Sequence, residues 1–154
     1  MSDMWNLERI GALWVLGLIR PEDLPELASR SLMTPATTTT LADLAVCRSD
    51  EPELIEKLLL QLFSESRASF PSKRDALRWY ACDVSRSILA GTKAPYAGAR
   101  EIWNATVKAG DKDFHELDGF IYAASEMEDR AIDRPHFERE ICEEAKRWVN
   151  RSRH

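Results

Sequence analysis

Residues Ser72–Gly91 read SKRDALRWYACDVSRSILAG. Leu77, Tyr80, Ala81, Val84 and Ile88 recur at three- and four-residue steps, the spacing of one face of an α-helix. Gly91 stands just past the last of them, where a helix end favours a residue that tolerates positive φ. Ser72 with Asp75 resembles a capping box, with Asp in the place that Glu or Gln usually holds. No stretch of the chain alternates with period two for long enough to read as a strand.

The same spacing continues on both sides. Downstream, Pro95 opens a helix carrying Ala99, Ile102 and Trp103 that stops near Gly110. Phe114, Leu117, Ile121 and Ala124 define the next, and Pro135 starts the last, with Phe137, Ile141, Ala145 and Trp148 inward. Upstream, Phe70-Pro71 breaks the chain. Leu54, Ile55, Leu58, Leu62 and Phe63 form a core face behind Asp50 as cap and Pro52 in the first turn. Thr34–Thr40 (TPATTTT) reads as a loop leading to a short helix, Leu41–Val46. Leu7, Ile10, Gly11, Trp14 and Leu18 share one helical face while Leu13 and Leu16 fall opposite, so the first helix is apolar nearly all round. Pro21 restarts the chain for a second helix over 21–33. The expectation is an all-α fold: a single compact multi-helix bundle of about eight helical segments, one domain over 1–154, with a subdomain break near 64–72 as the alternative.

A chain of 154 residues with 44% apolar and 31% charged side chains buries a core without metal or disulfide staples. Cys47, Cys82 and Cys142 are widely spaced and form no CxxC, which fits a reducing compartment. The uncharged run Ile10–Ile19 is short of the roughly 18 residues that span a bilayer. Asp3 and Glu8 precede it and Arg20-Pro21-Glu22 follows it, which is a poor export signal. These features point to a cytoplasmic protein that engages no membrane.

The net charge of −5 conceals alternation. Residues 1–66 balance at −6, residues 67–112 at +5 and residues 113–154 at −4. One reading is internal, with the middle helices packed between acidic neighbours. The other is an acidic outer surface that meets a basic partner.

Most catalytic chemistry lacks its residues. His115-Glu116-Leu117-Asp118 begins like HExxH, but Gly119 stands where the second histidine belongs. Gly91-Thr92-Lys93 reverses the P-loop order and follows a helix instead of a strand. There is no GxGxxG or GxSxG. Cys82 lies off its helix's apolar stripe without a histidine nearby in sequence. Arg74, Arg78 and Arg86 drift around one helix between Asp75 and Asp83, so no phosphate-binding strip or recognition helix emerges, and nucleic acid is not expected as a partner. A ligand set of Glu126, Asp129, His136 and Glu140 is the one arrangement that suggests a metal- or ligand-binding bundle enzyme. The leading reading needs no metal, no cofactor and no catalytic residue.

Two features suit recognition instead. Asp118, Tyr122, Glu126 and Asp129 step by four, four and three residues along one helical stripe, and Glu128 and Asp133 extend its acidity. A phenol amid carboxylates is an amphipathic anchor within a charged surface. Trp79 points well away from its helix's apolar stripe, either into a second core face or toward a partner, and Trp5 is placed similarly on the first helix. Trp14, Trp103 and Trp148 coincide with core positions.

The runs Ile88-Leu89-Ala90-Gly91, Pro95 to Trp103 (PYAGAREIW), Ala124 to Asp129 (ASEMED) and Ile19 to Pro25 (IRPEDLP) resemble a recurring pattern in small uncharacterised bacterial proteins. The resemblance implies a compact helical cytosolic protein and carries no catalytic residues. By type, small acidic helical proteins also resemble immunity proteins that neutralise bacterial toxins. The functional expectation is therefore a non-enzymatic immunity-type protein that binds a cognate toxin or effector and occludes its active site. Its contact residues would be Asp118, Tyr122, Glu126, Glu128, Asp129 and Trp79. A homo-oligomer that buries the apolar first helix is a third class.

Overall fold

The computed structural model describes residues 6–31, 39–48 and 50–151. Among them are eight α-helices and no strand: α1 (Leu7–Val15), α2 (Leu24–Ser31), α3 (Thr39–Ala45), α4 (Pro52–Glu65), α5 (Lys73–Leu89), α6 (Pro95–Ala109), α7 (Asp118–Asp129) and α8 (Arg134–Arg151). The fold is all-α, as the spacing predicts. The chain divides into two compact units, Met1–Ser72 and Lys73–His154.

In the first unit, α1 is shorter than its apolar run. Gly17 takes φ 68°, the N–H of Gly17 donates to Trp14 O and that of Leu18 to Leu13 O, a paired closure that ends the helix. Leu18 is consequently 38% exposed instead of packed. A 3-10 turn, Pro21–Asp23, precedes α2. Of the expected threonine loop, Thr34–Thr38 lies outside the described residues, as does Trp5, while Thr39 and Thr40 already belong to α3. Thr40 is buried and donates from Oγ1 to Glu65 Oε2 at 2.7 Å, and Gln61 Nε2 donates to the same oxygen at 3.0 Å. The N-cap of α4 is Glu51 in place of Asp50, with Pro52 directly after it. Ile10, Leu24, Leu44, Ile55, Leu59 and Phe63 centre this core.

In the second unit α5 packs on α6 and α8, and α7 packs on α6 and α8. Their inward faces are rich in small residues: Ala76, Ala81, Ala99, Ala105, Ala123, Ala124 and Ala145 are buried, interleaved with Ile102, Phe120, Phe137, Ile141 and Trp148. Small side chains let helix axes approach closely. Gly98 is the tightest point. A Cβ built there would stand 2.6 Å from Ile88 Cδ1 and 3.1 Å from Val84 Cγ1. Phe114 and Leu117 are buried too, but from the segment between α6 and α7: the helix expected from near Phe114 begins at Asp118.

Ser85 is fully buried on α5 and its Oγ has no hydrogen-bond partner among the described residues. A buried hydroxyl left unpaired costs about 1–3 kcal/mol, more than the methyl-sized void its removal leaves. Ser85→Ala should therefore leave the denaturant midpoint unchanged or raise it. A clear fall would show that the hydroxyl has a stabilising role.

Candidate functional site

The burial pattern of α7 sets its faces. Phe120, Ala123, Ala124 and Met127 point inward, so at about 100° per residue Asp118, Tyr122 and Asp129 centre the outward side. Tyr122 is 57% exposed. One side of its ring is held, because it meets Phe137 of α8 edge-on with centroids 6.3 Å apart. Beside it lies an open groove of about 1070 Å³ between Gly119 and Tyr122 of α7 and the α8 residues His136, Glu140, Glu143 and Glu144.

The carboxylates differ in how far they are neutralised. Asp129 is exposed and makes no ion pair among the described residues. Among the described residues Asp118 pairs only with the imidazole of His115, Nδ1 to Oδ2 at 3.2 Å, and Glu140 only with that of His136 at 3.2 Å. Glu126 is drawn in to 27% exposure beside Arg130 at 3.6 Å. Glu128 leans to the opposite flank, where it accepts a hydrogen bond from Tyr96 Oη at 2.8 Å and lies 3.9 Å from Arg100. That bond holds the Tyr96 phenol above its ordinary pKa. The stripe thus separates: Asp118, Tyr122 and Asp129 face outward together, while Glu126 and Glu128 are engaged within the unit. Asp133 is engaged too, by Arg130 at 2.7 Å. Trp79 is half-buried on α5, neither core nor bare.

The alternation of charge is largely internal to this unit. The unit 73–154 contains 15 basic and 15 acidic residues, and the chain's −5 therefore sits in residues 1–72. Arg74 of α5 grips Asp111 through Nε at 2.6 Å and Nη2 at 3.1 Å. Arg78 grips Glu116 through Nη2 at 2.6 Å and Nε at 3.0 Å, and donates to Asp75 at 2.8 Å. Both guanidiniums lie over the ring of Phe114, at 5.8 and 5.5 Å from its centroid. The basic middle segment thereby ties down the 110–117 segment and fixes the start of α7.

Hydrogen bonds from Arg74 and Arg78 hold Asp111 and Glu116, respectively, below the usual carboxylate range. Their contribution to stability is present above the unfolded carboxylate value, near 4, and is lost as pH falls through the lower folded values. The denaturant midpoint of the protein should accordingly drop below about pH 4. Arg78→Met should flatten that acid limb, and an unchanged limb would mean that other carboxylates control it.

The described residues contain no group of three or more His, Cys, Asp or Glu placed to hold a metal, so Glu126, Asp129, His136 and Glu140 are not gathered into a ligand set. Cys82 is half-buried with its Sγ 3.4 Å from Trp148 O. No described helix is long and apolar enough to cross a membrane. Sequence reasoning missed Trp103, assigned above to the core: it is half-buried on α6, with Arg100 stacked 4.2 Å above its ring. Comparison with family models, with curated proteins and with solved structures finds no match to this chain.

Proposed function

We propose that the protein is a non-enzymatic binding protein of the cytoplasm, an immunity-type inhibitor that covers the active site of a toxin or effector. The observation that carries this reading is the bare, laterally anchored Tyr122 between Asp118 and Asp129 at the edge of the groove. A tyrosine fixed on one side and open on the other loses little entropy when a partner covers it, and such residues concentrate binding energy at interface centres. Among the described residues no arginine or lysine pairs with Asp118, Asp129 or Glu140. These carboxylates would pair with basic groups of a toxin cleft and steer its approach. Tyr122 would fill a neighbouring pocket, while Glu126 and Glu128 would shape the surface from behind.

The test is co-purification and titration calorimetry with the product of the adjacent gene. A stoichiometric complex is expected. Tyr122→Ala should weaken it by roughly thirtyfold, the scale of a central interface anchor. Association should slow as salt rises. No stoichiometric complex, together with unchanged growth when that product is expressed alone, would end this reading.

A further inference from the structure

The turn between α7 and α8 displays a side chain that the fold does not use. Ile132, in the 3-10 turn Ala131–Asp133, is 91% exposed, the barest large apolar residue among those described. A single exposed apolar residue is ordinary on a protein surface. Two features set this one apart.

The first is that its backbone is held. The N–H of Asp133 donates to Arg130 O at 3.0 Å, and that of Arg134 donates to Ala131 O. The Arg130 guanidinium is clamped between Asp133 Oδ2 at 2.7 Å and Glu126 Oε2 at 3.6 Å, and it lies 5.7 Å from the centre of the Phe137 ring. The same buried ring meets Tyr122 edge-on. One phenylalanine thus braces both the Tyr122 anchor and the turn that carries Ile132.

The second is the charge beside it. Asp129 stands seven residues from Tyr122, about 10 Å along α7, and three residues before Ile132. Residues 126–134 carry four carboxylates and two guanidiniums. Both guanidiniums are taken, Arg130 as above and Arg134 by Glu138 at 3.4 Å. Asp129 makes no ion pair among the described residues. The uncompensated charge next to Ile132 is therefore negative.

We propose that Ile132 is a second anchor of the Tyr122 face, and that the partner covering this face carries an apolar pocket bordered by arginine or lysine. The inference rests on the binding role proposed above and specifies the surface that meets it. Ile132 would enter the pocket, and the bordering cation would meet Asp129. A turn already fixed loses little conformational entropy on docking. An apolar side chain bare in the free protein gains its full burial when it is covered.

The experiment titrates the full chain and its variants with the product of the adjacent gene by calorimetry at two salt concentrations. Ile132→Ala should weaken binding by about tenfold or more and leave its salt dependence unchanged, because the lost contact is apolar. Ile132→Val, which removes one methyl group, should cost about fourfold or less. Asp129→Asn should instead reduce the affinity that added salt removes. The melting curve of Ile132→Ala should match that of the parent. A complex weakened by Tyr122→Ala but indifferent to Ile132→Ala would overturn this inference and leave the binding role standing, whereas no complex would end both. A fall in melting temperature with Ile132→Ala would show that the isoleucine serves the fold. Self-association abolished by Ile132→Ala would name a second copy of the chain as the occupant. Either result overturns the proposal.

Discussion

Gly98→Ala should destabilise the protein, although alanine is the better helix former. At a solvent-facing helix position the exchange gains about 1 kcal/mol from propensity and unfolded-state entropy. At position 98 the new Cβ stands 2.6 Å from Ile88 Cδ1 and 2.8 Å from Cγ1, distances that nonbonded carbons do not tolerate. Ile88 cannot readily swing away. It is β-branched and stiff at χ1, 6% exposed, and bordered by Val84, itself 3.1 Å from the same Cβ. Overpacking of this kind costs about 1–3 kcal/mol, or more where the neighbours cannot shift. Overpacking wins, with an expected net loss of about 1–2 kcal/mol, read as a fall in melting temperature of roughly 2–4 °C per kcal/mol. Gly98→Val should lose more. Ile88→Ala opens the space the new methyl needs, so the double variant should be more stable than the sum of the two single losses. A Gly98→Ala protein that melts at or above the parent temperature would mean that α5 and α6 do not approach closely here.

That contact also shows what the chain reveals without coordinates. The helices with punctuated ends were legible. Gly91 and Gly110 both take positive φ where α5 and α6 stop, and Pro95 and Pro135 stand within the first turns of α6 and α8. The errors arose where a local signal competes with chain closure. Apolar periodicity ran through Gly17 to Leu18, and the paired closure around Gly17 overrode it. The threonines at 39 and 40 count against helix by propensity, yet Thr40 gains a part-buried bond to Glu65, 25 residues away.

The recognition stripe divides in the same way. That Asp118, Tyr122 and Asp129 share a face follows from the 100° step alone. That Glu128 belongs to Tyr96 and Arg100 does not, because that pairing crosses 32 residues. Trp103 was misassigned because spacing reports which face a residue approaches, not whether a neighbouring helix covers it. Of the two readings of charge alternation, internal pairing prevails in residues 73–154. Among the described residues the exceptions are Asp113 and Asp129, which make no ion pair, and Asp118 and Glu140, which face histidines; all but Asp113 lie on the outward side of α7 or on α8 across the groove.

Phe114→Ala should have the larger effect of the two ways to loosen the segment before α7. Two devices hold that segment: the guanidinium clamps of Arg74 and Arg78, and the Phe114 ring beneath them, which is 4% exposed. The Arg78–Glu116 pair is bidentate, but its side chains are 40% and 42% exposed, so water screens it and its net contribution is about 1 kcal/mol or less. Removing a buried phenylalanine costs about 3–5 kcal/mol, the lost burial plus the cavity left behind. Arg78→Met, which retains an apolar stem over the ring, should therefore shift the denaturant midpoint slightly, whereas Phe114→Ala should lower it severalfold more. The consequence reaches the candidate site, since the segment positions His115 against Asp118 and sets the first turn of α7. In Phe114→Ala protein kept folded at low temperature, amide exchange should accelerate across 110–120 and leave the α8 core protected. If instead Arg78→Met loosens the segment as much as Phe114→Ala does, then the charges hold it and the ring only fills space.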